Sequence, residues 1–280
     1  MATERLPVQL AVRVLGVSES GYYEWRGRAP SQRAIRHAWL TGLIRQAHAD
    51  SRGIYGSRRI HAELVLGRGI RVGHGAVEML MRQAGITGIT GRPKWRHAKP
   101  DNIARDLVDR CFTRTSPNQL WVTDITEHPT REGKVYCCVV LDTYSRRVVG
   151  WSIDASPTAA LVTSALGMAI DSRHPTPGAL IHSDQGTQFA SWVFTDRARA
   201  SGLVPSMGSV GDCYDNAMIE SFWSRMQVEL LDRQRWRTRM ELANAIFGYL
   251  EIWHNRRRRH SSLGMLTPIE FETRTSAPVA

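Results

Sequence analysis

Three runs of apolar, β-branched and aromatic residues follow one another closely in the middle of the chain. They read LWVTDIT from Leu120, KVYCCVVLDT from Lys134 and RRVVGWSI from Arg146, and the segments between them, around REGK and YS, have the composition of turns. Runs of this kind bounded by turn residues predict β-strands joined as a meander.

Beyond residue 157 the pattern alternates between helix and strand. Helices are expected at 157–169 and 189–200, and short strands at 179–182 and 203–205. Strands first and then alternation with helices predict an α/β domain with a mixed five-stranded sheet flanked by helices.

The first part of the chain has a helical pattern instead. Two short helices around Gly16 are expected within 7–25, where a helix-turn-helix and a helical hairpin that only packs are about equally supported. Further helices are expected at 38–49, 57–65 and 75–84, with a basic linker at 26–36. The predicted units are a helical segment with its linker (1–36), a helix-turn-helix-like region (37–90), a basic connector (91–115), the α/β domain (116–275) and a tail (276–280).

Charge is distributed unevenly along these units. The chain of 280 residues has a net charge of +11, and all of this surplus lies in residues 1–115, because acids and bases balance in 116–280. A basic front followed by a neutral domain favours a polyanionic partner such as DNA. The alternative is a solvated basic surface. Four cysteines without a CxxC pair, no signal-peptide pattern and no long apolar run favour a cytoplasmic protein without a membrane segment.

Three acids stand at informative places in this pattern. Asp184 follows an apolar run in LIHSDQGTQF, and Asp124 lies within the strand LWVTDIT. Glu220 lies on a helix predicted from position 215, with Asp215 or Asn216 as its N-cap. Carboxylates brought together repel one another unless a cation shares them, so we expect a divalent metal ion. Taken singly, each acid has an ordinary alternative: a buried hydrogen-bonded acid, a turn residue or a solvated helix residue.

Motifs around these acids resemble one known family. WVTDIT, VVLDTYSRRVVGW, IHSDQGTQF, DNAMIESFW and HNRRRRHSSLGMLTP are similar to segments of DDE transposases of the insertion-sequence three family, in the product of the second reading frame. RGIYGSRRIHAEL to VEMLMRQAGI resembles the helix-turn-helix region that precedes the catalytic domain in that family. The resemblance implies a ribonuclease H-like fold related to that of retroviral integrases.

The resemblance also implies an activity and its residues. Asp124, Asp184 and Glu220 are expected to hold two Mg²⁺ or Mn²⁺ ions, and His182, Gln188 and Asn216 to support them. Water is expected to free a 3′-OH at the end of a mobile element, and that hydroxyl then attacks a second strand. The residues expected to contact DNA are basic: Arg58, Arg59, Arg71, Arg82, Lys94, Arg96, Lys99, Arg225, Arg256, Arg257, Arg258 and Arg259. Many relatives have Lys or Arg where this chain has Gln227, and Arg225 is the candidate to replace that contact.

Partners and alternatives follow from the same comparison. Double-stranded DNA at terminal inverted repeats and at a target is the expected substrate, bound by a homo-oligomer at the nucleoid of a bacterial cell. An upstream-frame protein is expected as a fusion or a partner. The alternatives are a metal-dependent nuclease or integrase of another mobile element and a DNA-binding repressor of transposition without catalysis.

Overall fold

Ten α-helices and five strands lie along the part of the chain that the computed structural model describes, which is residues 7–89, 114–184, 186–207 and 217–276. The strands are β1 (Leu120–Thr130), β2 (Gly133–Asp142), β3 (Val148–Asp154), β4 (Leu180–Ser183) and β5 (Val204–Met207). The helices are α1 (Val8–Leu15), α2 (Glu19–Gly27), α3 (Gln32–Asp50), α4 (Ser57–Ala62), α5 (His74–Gln83), α6 (Ala159–Arg173), α7 (Trp192–Ala200), α8 (Ala217–Glu229), α9 (Arg239–Phe247) and α10 (Pro268–Ser276). Helices α4 and α9 continue as π-helical turns, Glu63–Gly67 and Gly248–Arg257.

The strands form one mixed sheet in the order β3-β2-β1-β4-β5. The meander pairs β1 with β2 and β2 with β3 antiparallel, whereas β4 pairs in parallel with both β1 and β5. Crossovers through α6 and α7 make these parallel pairs possible, because parallel neighbours cannot be joined by a tight turn. The predicted α/β class and five-stranded sheet are confirmed.

Both faces of the sheet are covered, as strict alternation along β2 shows. Val139 and Leu141 lie in one buried cluster with α8 and α9, and Cys138 and Val140 lie in the other cluster with α6 and α7. Gly150 of β3 lets α6 approach closely, because a Cβ there would overlap the carbonyl of Ala165. The sheet is therefore the middle layer of three, and its strand ends remain accessible.

The helical front shares the core of the α/β domain. Ile44 of α3, Leu64 after α4 and Leu80 of α5 belong to the same buried cluster as the β2 side chains and α8. Burying a side chain of this size contributes about 1.5–3 kcal/mol relative to leaving it exposed. The helical front is thus held to the α/β domain by packing.

One local prediction differs from the structure. Helix α3 begins at Gln32, where Ser31 accepts a hydrogen bond from the Ala34 amide, so the basic linker ends earlier than expected. The expected N-cap of α8 and the connector residues Lys94, Arg96 and Lys99 lie outside the described residues. Within the described ranges, we find no helix that combines the length and apolar character needed to cross a bilayer.

Candidate active site

The parallel pairing of β1 and β4 places two of the predicted acids side by side. Val122 is the register partner of His182. Asp124 lies two residues beyond the first and Asp184 two residues beyond the second, on chains that run in the same direction. Because neighbouring strands lie about 4.8 Å apart and side chains repeat every second residue, the two acids occupy adjacent positions at one end of the sheet.

Asp124, on the central strand β1, is held by two hydrogen bonds. Its Oδ1 accepts from the Ile125 amide at 2.8 Å, and its Oδ2 accepts from the indole Nε1 of Trp223 at 3.1 Å. Trp223 is one helical turn beyond Glu220 on α8, so this contact ties the helix of the third acid to the first acid.

Electrostatics link the three acids. Burial raises the pKa of Asp124 to about 6, and the negative charges of Asp184 and Glu220 act in the same direction. Hydrogen bonds from Ile125 and Trp223 oppose these effects because they favour the charged form. The Asp124 carboxylate is therefore repelled by the negative charges of both other acids, and a bound cation would offset this repulsion.

Asp124 and Asp184 line one pocket of about 270 Å³ at the end of the sheet. Gln188 lines the same pocket, and its Nε2 donates to the carbonyl of Pro157 at 3.1 Å. The Oδ1 of Asp184 accepts from the Gly186 amide, which orders the turn after β4. His182 is buried, with its Nδ1 3.1 Å from the Ser206 hydroxyl, so its contact supports β4 and β5. Asn216 lies outside the described residues.

Donor chemistry in this pocket suits a hard divalent cation. Mg²⁺ prefers carboxylate oxygens and commonly takes only one or two of them, with waters and phosphate oxygens completing its shell. Asp124 and Asp184 meet this need. As the side chains stand, no three acids, histidines or cysteines of the described residues are close enough together to hold one ion. Glu220 is exposed on the first turn of α8, and its joining the other two acids stays a prediction.

The expected DNA-contacting residues fall into exposed and buried groups. Arg58, Arg71, Arg82, Arg225, Arg256 and Arg257 are exposed. Arg82 has Glu78 at 3.6 Å on the same helix face. Gln227 donates to Asp232 at 2.6 Å and is occupied by that contact. The connector residues Lys94, Arg96 and Lys99 lie outside the described residues.

Two arginines of the run 256–259 have a different role from the one expected. Arg258 and Arg259 were expected to contact DNA, but both are buried. Arg258 donates to both carboxylate oxygens of Glu229. Arg259 donates to Glu63 at 2.9 Å and to Glu270 at 2.6 Å. Their guanidinium groups are paired with carboxylates inside the protein. The predicted DNA contacts of Arg258 and Arg259 are therefore wrong, and both residues have a structural role.

Arg59 is half-buried and joins the same network. Its Nε donates to the Arg259 carbonyl at 3.0 Å, and the neighbouring Tyr55 hydroxyl donates to the Arg257 carbonyl and accepts from the Arg259 amide. The segment after α9 is thus bound by α4 and the residues just before it. Tyr55 and Trp223 were not singled out in the sequence. Only the spacing of Trp223 from Glu220, one helical turn, offered a signal.

Family models match most of the chain from residue 36 onward. A model described as an integrase core domain matches residues 114–213, and another with the same description matches residues 201–268. A model described as an HTH-like domain matches residues 36–94.

Individual proteins match over similar lengths. The 31 kDa protein of insertion element IS600 from Shigella sonnei is 37% identical over 92% of this chain and 96% of its own length. Transposase InsF for insertion sequence IS3A from Escherichia coli K12 is 33% identical over 96% of this chain and 95% of its own length. Among solved structures, the HTLV-2 integrase catalytic core domain in complex with magnesium aligns with 56% of this chain and 97% of its own, at 19% identity and a TM-score of 0.43.

Proposed function

Because this chain belongs to the family of insertion-sequence transposases with an integrase core domain, we propose that it cuts DNA at the ends of a mobile element and joins the freed 3′ ends to a second site. The observation that carries the proposal is the parallel register of the inner strands β1 and β4, which makes Asp124 and Asp184 neighbours that line one pocket. The hydrogen bond from Trp223 to Asp124 adds the helix of Glu220 to this arrangement.

Asp124, Asp184 and Glu220 are the proposed metal-holding residues and would together hold two Mg²⁺ or Mn²⁺ ions. Bound divalent ions supply charge neutralisation at phosphorus, an activated oxygen nucleophile and a stabilised leaving oxygen. In the first step, water attacks phosphorus and the bond to the 3′ oxygen breaks, which leaves a 3′-OH and a 5′-phosphate. In the second, that 3′-OH attacks a target phosphodiester and the target's 3′ oxygen leaves.

The chain's own residues orient this chemistry. The Ile125 amide and the Trp223 indole fix both oxygens of Asp124, and the turn held by the Gly186 amide fixes Asp184. Gln188 lines the pocket where substrate phosphate would lie and supports its wall through Pro157. Preorganised donors of this kind lose little entropy when substrate binds.

Exposed basic residues extend the DNA surface away from the pocket. Arg58, Arg71, Arg256 and Arg257 are the proposed phosphate contacts among the described residues, and Lys94, Arg96 and Lys99 of the connector are proposed on sequence alone. We propose that the chain acts as a homo-oligomer on double-stranded DNA, with an upstream-frame protein as fusion or partner. The proposed location is the cytoplasm, at the nucleoid.

The test uses purified full-length chain, DNA carrying the inverted repeats that flank the gene, and Mg²⁺ or Mn²⁺. Strand-transfer products are expected from the wild type, and Asp184→Asn should bind the DNA but not cut it. Asp196→Asn, an exposed aspartate on α7, is the matched control and should cut normally. Nicks without strand transfer would indicate a nuclease instead, and a mobility shift without cutting would indicate a DNA-binding repressor.

A further inference from the structure

A second cavity, of about 160 Å³, lies against α8 and is lined by basic residues from four parts of the chain. Arg59 comes from α4, Arg146 from the turn between β2 and β3, Arg225 from α8 and His260 from the segment after α9. Asp124, Asp184 and Glu220 are not among the residues that line it. The cavity is therefore separate from the pocket of the catalytic acids.

Three of the four arginines that line this cavity form no ion pair among the described residues. Arg258, deeper in the wall, is paired with Glu229 at 2.7 Å. The charge of Glu229 also acts on Arg59, but Arg59, Arg146 and Arg225 form no ion pair with any described side chain. Arg59 and Arg146 are half-buried, and burial, together with the charge of Arg258, lowers the pKa of each. Positive charges that are partly desolvated and face one another are unfavourable unless an anion joins them.

A buried donor in the same wall also lacks a partner. Nη1 of Arg258 lies 3.5 Å from Nδ1 of His260, and because a guanidinium only donates, the imidazole proton belongs on Nε2. That Nε2 is buried and has no hydrogen-bond partner in the described structure. Native proteins rarely leave a buried N–H group without a hydrogen-bond acceptor, so the unpaired Nε2 of His260 is unusual.

Hydroxyl groups complete the donor set. Ser221 of α8 and Ser262 beside His260 line the cavity. Guanidinium, imidazole and hydroxyl groups all donate hydrogen bonds here, and a tetrahedral oxyanion accepts several of them at once. A phosphate group matches this combination of positive charge, donors and size.

We propose that this cavity binds one backbone phosphate of the DNA on which the transposase acts. The proposal rests on the proposed function and adds to it a phosphate site distinct from the catalytic pocket. Arg225 and Glu220 are five residues apart on α8, a rise of about 7.5 Å along the helix axis, so the same helix contributes to the cavity and to the proposed catalytic acids. The DNA phosphate would neutralise the positive charge of Arg59, Arg146 and Arg225, which line the cavity together with the hydroxyl groups.

Arg146 allows a test in which loss of charge is separated from misfolding. Its backbone φ is 58°, in the left-handed region that glycine adopts without strain. Arg146→Gly therefore removes the guanidinium while relieving the backbone. Arg52 provides the matched control, because it is an exposed arginine with φ of 56° in the turn after α3 and does not line the cavity.

The measurement is DNA affinity of the full chain by fluorescence anisotropy across a range of salt concentrations, in EDTA so that no cutting occurs. Arg146→Gly is expected to weaken binding about tenfold at moderate salt, as loss of a charged hydrogen-bonding group does. It should also reduce the slope of log affinity against log salt by about 0.9, the value for one phosphate contact. Arg52→Gly should change neither, and thermal unfolding should confirm that both variants are folded.

Equal slopes for Arg146→Gly, Arg52→Gly and the wild type would overturn the proposal. A further arm adds inorganic phosphate to the chain without DNA. If phosphate raises the melting temperature of the wild type but not of Arg146→Gly, while the DNA slopes stay equal, the cavity takes free phosphate and the DNA assignment is wrong. These measurements need no catalysis. Equal salt slopes would therefore count against the phosphate site alone, whereas the absence of DNA cutting by the wild type would count against the proposed function.

Discussion

The buried ion pair between Glu229 and Arg258 makes a specific prediction about what holds the C-terminal segment in place. The two side chains are 4% and 5% exposed. Arg258 donates to the carboxylate through Nε at 2.8 Å and Nη2 at 2.7 Å. Tyr249 and Trp253 donate to the same carboxylate. Arg258→Met removes two of these contacts and leaves a buried carboxylate without its counter-charge.

Removing one partner of such a pair costs about 3–5 kcal/mol, because the remaining charge stays desolvated. That is a large fraction of the roughly 5–15 kcal/mol by which domains are stable. Urea unfolding of the full chain, followed by tryptophan fluorescence at pH 7.5, measures the loss. Combining Glu229→Gln with Arg258→Met should recover part of it, since neither charge then remains buried alone.

Lys134 and Glu127 provide the comparison, because they form an ion pair at 2.6 Å whose side chains are both half exposed. Lys134→Met should leave the unfolding midpoint nearly unchanged, as exposed pairs are screened by water and salt. If Arg258→Met destabilised the chain no more than Lys134→Met, the structural role assigned to Arg258 would be refuted.

Three further predictions concern the site, the DNA surface and pH. Trp223→Phe should slow DNA cutting about tenfold with little change in DNA affinity, because it removes one hydrogen bond to Asp124; unchanged cutting in a single-turnover assay would contradict this. Arg58→Gln combined with Arg71→Gln should reduce the salt slope of DNA binding by about 1.8, and an unchanged slope would exclude both as phosphate contacts. Burial lowers the pKa of His254 to about 4 from 6.5. As pH falls, this imidazole is therefore protonated in the unfolded chain before it is protonated in the folded chain. Stability present above pH 6.5 should be lost as pH falls toward 4. Urea midpoints at pH 7.5 and 5 test this, and a fall that is equally large in His254→Gln would assign the effect to other groups.

Sequence patterns predicted the sheet well because its signals are local. Alternating or continuous apolar runs and turn residues define β1 to β5 to within a few residues, and the short apolar run before Asp184 identifies β4. The family motifs added the expectation that Asp124 and Asp184 meet. The parallel register of β1 with β4 now gives the physical reason, since it makes the two acids neighbours.

Pairings between distant residues were the part that local patterns could not supply. The run of arginines 256–259 predicts a solvated surface when considered alone, but Glu229 and Glu63 draw Arg258 and Arg259 inward from elsewhere in the chain. The apolar faces of α3 and α5 are equally compatible with a small separate domain and with packing on the sheet. Only the tertiary structure shows that they share the core with β2 and α8.

The proposal that Asp184 binds the metal ion can be tested by measuring how Asp184→Cys cuts element-end DNA in Mg²⁺ and in Mn²⁺. A thiolate is a poor ligand for Mg²⁺ and a better one for a softer ion. Asp184→Cys is expected not to cut in Mg²⁺ and to recover part of its cutting in Mn²⁺, with Asp196→Cys cutting normally in both. Full cutting by Asp184→Cys in Mg²⁺ would contradict it.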